Sequence, residues 1–183
     1  MKTIAIQDAN ILIDLVDVNL FSHCLSLQYN FLTTQLIFES ELNERQISAI
    51  QVHIDSGKFT IIKTSEEELY EIQALSQQDN RLSEQDWSVI YYAKKESALL
   101  LSGDKILRKV SESKGIKVCG VLWLFDQLIN ESILSPEEAC LYIKDLMKKN
   151  KRLPVEECQK RINDWCREND APGTREAIES LTQ

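Results

Sequence analysis

The chain has 183 residues, 43% of them hydrophobic, and a formal net charge of −8, which suits one domain, or one domain with an extension, built around a sizeable core. The apolar run before Gln7 and Asp8 is too short for a signal peptide or a transmembrane span, so a cytoplasmic address without membrane association is expected. The acidic balance argues against a generic basic nucleic-acid binder, yet residues 94–167 carry 15 basic against 11 acidic side chains, a net +4 in a chain whose remainder is −12.

That basic half leaves room for a phosphate-tracking surface, although a solvated helix face accounts for Lys148, Lys149, Lys151 and Arg152 equally well. The five cysteines, Cys24, Cys119, Cys140, Cys158 and Cys166, are odd in number and contain no Cys-x-x-Cys pair. Neither a disulfide framework nor a thiolate zinc site is indicated, and they read as small buried hydrophobes. His23 and His53 show no recognisable pairing, which disfavours a histidine-based site.

Thr3 to Gln7 reads as a buried strand that ends in Asp8, with Asp8 or Asn10 capping a helix through Ile11, Leu12 and Leu15. An acid at the carboxyl end of a strand is a functional candidate in an open α/β sheet, although a helix cap uses the same residue without any chemistry. After a loop over 19–30, Phe31 to Thr34 gives a second strand, and Gln35 to Asp55 reads as one helix ended by Gly57. On such a helix Glu39 and Glu41 project about 200° apart, so they cannot share one pocket. Glu41, beside Leu42 at the border of the buried face, is the preferred candidate and Glu39 the reserve.

Phe59 to Lys63 is a third strand, and Ser65 with Glu66, Glu67 and Glu68 opens an acidic helix through a capping box. Ser83 and Asp86 have the same spacing at the start of a helix over 84–96. Asp86 also falls on one stripe with Val89, Ile90 and Ala93, and an inward-facing carboxylate needs a partner such as a bound cation. Ala98 to Leu101 is continuously apolar, as in a parallel strand covered on both faces, and Ser102-Gly103-Asp104 closes it. Asp104 is thereby presented at another carboxyl end, ahead of a helix over 105–114. Ile116 to Cys119 makes a last strand and Val121 to Ile133 a helix; Ser135-Pro136-Glu137-Glu138 and Pro154 start two more.

Strand and helix alternate over the first two thirds, which predicts an α/β fold: a parallel sheet with right-handed crossovers, sandwiched by helices, with its acid-bearing loops on one edge. Carboxylates clustered without histidine or cysteine suit hard, oxygen-seeking cations such as Mg²⁺ or Mn²⁺, and such ions serve phosphodiester hydrolysis. An aspartyl-nucleophile phosphatase is a poorer reading, because Asn10 stands where a second acid is needed.

The sequence resembles the PIN-domain ribonucleases, many of which are toxins of bacterial toxin–antitoxin pairs. The resemblance rests on Ile6-Gln7-Asp8-Ala9-Asn10-Ile11-Leu12, on Glu41-Leu42, on Leu82-Ser83-Glu84-Gln85-Asp86 ahead of Ile90-Tyr91-Tyr92-Ala93, and most strongly on Leu99 to Arg108 followed by Lys114 to Trp123. It implies a three-layer α/β/α catalytic domain over residues 1–135; the helices after Ser135 depart from the compact members of the family and are read as an extension over 136–168 packed on the same domain, with a tail over 169–183. It implies that Asp8, Glu41, Asp86 and Asp104 bind one or two Mg²⁺ or Mn²⁺ ions, supported by Asn10 and Ser102, and that RNA is cut to leave a 5′-phosphate and a 3′-hydroxyl. An antitoxin protein and a homodimer are the partners it suggests. The alternative from another class is a PIN-like module that binds a protein or RNA partner without catalysis.

Overall fold

The first strand, β1 (Thr3–Gln7), lies at the centre of the sheet rather than at an edge. In the computed structural model, which describes residues 2–167, it pairs in parallel with β2 (Tyr29–Thr34) on one side. Beyond β2 lies β3 (Thr60–Ile62), while β4 (Leu99–Leu101) and then β5 (Val118–Cys119) complete the other side, giving the order β3-β2-β1-β4-β5. Every pairing is parallel. The chain therefore builds outward from β1 to β3, crosses back, and builds outward again from β4. The reversal falls between β1 and β4, the place where open α/β sheets leave a crevice at the carboxyl ends of their strands.

Parallel strands require crossovers, and the helices supply them. In chain order they are α1 (Ala9–Asp17), α2 (Phe21–Cys24), α3 (Gln35–Ser40), α4 (Glu44–Asp55), α5 (Glu66–Gln78), α6 (Glu84–Lys95), α7 (Lys105–Ser113), α8 (Val121–Asn130), α9 (Pro136–Lys149) and α10 (Val155–Arg167). One layer is formed by α1 packed on α2, α4 and α9, with α8 against α2 and α9. In the other, α6 crosses β1, β2 and β4 and packs on α3 and α5. The result is the three-layer α/β/α sandwich expected from the alternating pattern. Its interior holds Ile6, Leu12, Leu100 and Phe125 without solvent exposure.

Two readings of the sequence are corrected here. The single helix over 35–55 is two helices, because Asn43 caps α4 reciprocally with Gln46 and Thr34 caps α3. Glu41 is consequently the C-terminal cap of α3, outside any continuous helix, and the angular argument separating it from Glu39 does not apply. The loop over 19–30 contains a short helix, α2, entered through Asn19 at a left-handed φ of 58°.

The C-terminal helices are joined to the sandwich by specific polar bonds. Asn150 Nδ2 donates to both carboxylate oxygens of Asp14 at 2.9 Å, and Lys149 Nζ donates to the Asp17 carbonyl at 2.6 Å. On α10, Arg161 grips Asp126 of α8 through Nε and Nη2 at 2.9 and 2.8 Å, while Cys158, Ile162 and Trp165 are buried. The tail over 169–183 lies outside the described residues. Among those described, no helix is long and apolar enough to cross a membrane.

Candidate active site

Asp8 leaves β1 in extended backbone and its side chain caps α1, so a strand end and a helix start meet at one carboxylate. Its Oδ1 accepts from Ala9 N at 2.7 Å, and its Oδ2 accepts from Ser102 Oγ at 2.7 Å and from Asn10 Nδ2. Only 3% of the residue is exposed. Burial drives its pKa from 3.8 up to about 7; the Ser102 hydrogen bond opposes this, the Asp86 charge adds to it, the Ala9 N–H opposes it and Glu41 adds the last increment. Asp8 therefore feels two other carboxylates despite their distance in sequence.

Those carboxylates arrive on two elements locked together beneath them. Thr34, at the end of β2, meets Ser88 of α6 through their hydroxyls at 2.7 Å, and the Ser88 hydroxyl also donates to the Gln85 carbonyl at 2.7 Å. This fixes the first turn of α6, which carries Asp86, against the start of α3, whose end carries Glu41. Asp86 is half-buried; its Oδ2 accepts from Ser83 N at 3.0 Å and from Ser83 Oγ at 2.9 Å, so the capping box is made. Glu41 is exposed, and partial desolvation followed by the Asp86 charge raises its pKa. Glu39 is exposed and accepts from Gln35 Nε2 at 2.9 Å.

Asp104 stands at the end of β4 and caps α7, its Oδ1 accepting from Ile106 N at 2.9 Å and Leu107 N at 2.8 Å. Its Oδ2 takes part in neither bond and the residue is exposed. Ser102 connects this acid to Asp8, because the same Oγ that donates to Asp8 accepts the Asp104 N–H at 3.0 Å. Asn10 closes the junction from the other side, its Oδ1 accepting from Gly103 N at 2.8 Å. A Cβ at Gly103 would lie 3.2 Å from that Oδ1, which is why a glycine follows Ser102. Arg108 braces the base of the loop, Nη1 donating to the Ser102 carbonyl at 3.2 Å.

The arrangement thus gathers Asp8, Glu41 and Asp86 electrostatically and ties Asp104 to Asp8 through one hydroxyl. Thr34, Ser88 and Arg108 escape sequence reasoning: Thr34 and Ser88 look like a strand end and a helix interior, and only their contact shows what they hold. Among the described residues no group of three or more His, Cys, Asp or Glu closes tightly enough to cage a metal ion. The donor set is oxygen only and open to solvent at Glu41 and Asp104. It fits a hard cation that keeps several waters and takes few protein ligands, and such a charge would offset both the burial that chiefly raises Asp8 and Glu41 and the carboxylate repulsion that adds to it.

No curated protein matches the sequence. The fold is shared with a crystal structure of PAE2754 from Pyrobaculum aerophilum, at a TM-score of 0.50 and 17% identity, over 71% of this chain and 98% of that one. A family model described as a PIN domain matches residues 4–166, so the match runs through α9 and α10 as well as the sandwich. PIN domains have a nuclease-type fold and generally use divalent metal ions. With this match over nearly all of the described residues, the chain belongs to the PIN-domain family.

Proposed function

We propose that the protein is a Mg²⁺- or Mn²⁺-dependent endoribonuclease. The observation that carries this reading is Asp8: a buried carboxylate at the β1/β4 reversal, loaded by two further carboxylates and bonded through Ser102 to the loop of a fourth acid. An acidic cluster of this kind repels an RNA phosphate unless a cation is present, and metal dependence follows. Asp8, Asp104, Asp86 and Glu41 would hold the ion. When bound, it supplies a Lewis acid that orients a phosphodiester, lowers the pKa of a water and neutralises charge on the leaving oxygen.

The remaining work falls to the chain itself. Ala9 N–H, Ser102 and Asn10 hold the Asp8 carboxylate in one orientation, so its free lone pairs are directed before substrate arrives. The Ile106 and Leu107 N–H groups fix Asp104 Oδ1 and leave Oδ2 for coordination. Glu41 and Asp104 form the solvent-facing rim across which a strand is admitted. The toxin role, with an antitoxin partner and a dimer, belongs to the same proposal; co-expression with a small neighbouring gene product should yield a complex with suppressed cleavage.

The test is cleavage of a panel of labelled single-stranded RNAs with Mg²⁺, Mn²⁺ or chelator, comparing the natural chain with Asp8→Asn. Cleavage that needs both the metal and Asp8 supports the enzyme. Equal cleavage by both proteins, or no cleavage together with no Mn²⁺ binding by calorimetry at millimolar metal, rejects it in favour of a binding module.

A further inference from the structure

A second surface lies farther along the helix that carries Asp86. Between α5 and α6 there is a pocket of about 230 Å³, floored by Leu75, Trp87 and Ile90, walled by Tyr91 and rimmed by Lys94, Lys95 and Lys114. The Trp87 ring is set in place by its Nε1 donating to the Asp79 carbonyl at 3.1 Å, and Lys114 Nζ lies 5.1 Å from the ring centroid. Nearby acids on α5 are already engaged: Glu68 accepts from Lys95 Nζ at 2.6 Å, and Glu71 takes the Tyr91 hydroxyl. Neither Lys94 nor Lys114 forms a salt bridge among the described residues; Lys114 helps to lower the pKa of Asp79, whose carboxylate is already held by Arg81, so both ammonium groups keep hydrogen bonds to give at the rim of an apolar hole.

All three charged side chains that line the pocket are lysines, Lys94, Lys95 and Lys114. Residues 94–117 hold seven Lys and Arg against three acids, in a chain of net charge −8. With Lys95 paired to Glu68, Lys94 and Lys114 are left to attract an anionic chain. The position of the pocket is also specific. Lys94 follows Asp86 by eight residues on α6, a rise of about 12 Å, and the two project within roughly 80° of each other. A strand lying in the acid cluster therefore reaches this pocket within a few nucleotides.

We propose that the pocket is a subsite for single-stranded RNA, with one unstacked base seated against Tyr91 and the Leu75–Ile90 floor and its flanking phosphates on Lys94 and Lys114. The choice of RNA rests on the nuclease reading above. An apolar pocket bounded by an aromatic ring and cations accepts a base by stacking and the backbone by charge. With the Trp87 indole N–H given to the Asp79 carbonyl and the Tyr91 hydroxyl given to Glu71, the lysine ammonium groups are the lining's remaining hydrogen-bonding side chains, so binding here is tolerant of sequence.

The experiment measures binding of a short labelled single-stranded RNA by fluorescence anisotropy in chelator, where cleavage is silent. The double variant Lys94→Ala with Lys114→Ala should bind about tenfold more weakly, and its log affinity against log salt should be shallower by about 1.4, two lost phosphate contacts. Tyr91→Ala should lose about fivefold or more from stacking, while Lys→Arg at both positions keeps the affinity. Circular dichroism of each variant checks folding, and the half-buried Tyr91 is chosen over the buried Trp87 for that reason.

Unchanged affinity and salt slope in the lysine variants, or no RNA binding by the natural chain, overturns the subsite. Lysine-dependent binding of an acidic apolar peptide in place of RNA also overturns it. The nuclease reading is separated by Asp8→Asn: loss of cleavage with retained binding belongs to the metal centre alone. Lysine-dependent binding by a protein that neither cleaves nor binds Mn²⁺ supports the subsite and rejects the nuclease.

Discussion

Ser102 and Asp8, 94 positions apart in the chain, are joined by a buried hydrogen bond of 2.7 Å across the β1/β4 boundary. The same hydroxyl accepts the Asp104 N–H, so one oxygen sets the relation between the ends of two strands. Ser102→Ala removes the strongest influence opposing the raised pKa of Asp8. The expected result is a loss of about 1–2 kcal/mol in denaturant unfolding and an acid limb of the cleavage pH profile displaced to higher pH. An unmoved limb with the same stability loss would assign Ser102 to structure alone.

The buried Asp8 makes the protein weaker at the pH where it is expected to act. Its folded pKa, about 7, lies above its ordinary 3.8, so the folded state binds the extra proton. The stability this confers is complete below about pH 4 and lost as pH rises through 7. Asp8→Asn should therefore unfold like the natural chain at pH 4 and be more stable at pH 8, by about 2–4 kcal/mol. Added Mn²⁺ should raise the Tm of the natural chain at pH 8 and leave Asp8→Asn little changed. Equal Tm values at pH 8 without metal would contradict the burial argument.

Asp14 carries the same sign at a different place. Burial raises its pKa to about 6 against the opposing hydrogen bond from Asn150, with Asp17 adding to the rise. Its contribution is present below pH 4 and disappears between pH 4 and 6. Asn150→Leu strips the carboxylate of its donor, and the unfolding free energy should fall by about 1–3 kcal/mol at pH 7 and less at pH 4. Urea unfolding at the two pH values measures this; equal losses at both would show that Asn150 acts by packing rather than through the charge.

Gln7 has a fully buried side chain whose Oε1 and Nε2 have no hydrogen-bond partner, and it immediately precedes Asp8. By strand register it shares a sheet face with Thr33 and Leu101, opposite to the face of Asp8. Gln7→Met keeps the length and removes the unsatisfied amide, so thermal unfolding should move upward by about 1 kcal/mol of stability. A fall in stability would reveal a partner for the amide, such as an internal water.

Much of the local structure was legible because its signals are neighbours in the chain. Ser65 with Glu68, Ser83 with Asp86 and Ser135 with Glu138 all form the reciprocal caps their spacing predicts. The break between α3 and α4 is masked in the sequence although Asn43 and Gln46 have the same spacing, since Phe38 and Leu42 continue an apolar rhythm across it. Asp8 and Asp104 were legible as acids at strand ends, and both also prove to be helix caps, so spacing alone could not separate the two roles.

The sequence by itself determined the parallel α/β character, the helix starts and the kinds of donor available, because these depend on periodicity and on residues a few positions apart. Strand order was decided only by the tertiary structure, and with it the meeting of Asp8 with Ser102, of Thr34 with Ser88 and of Asp14 with Asn150. Those contacts span 94, 54 and 136 positions. They form because the layers must close over one core, and no local pattern encodes which surfaces that closure brings together.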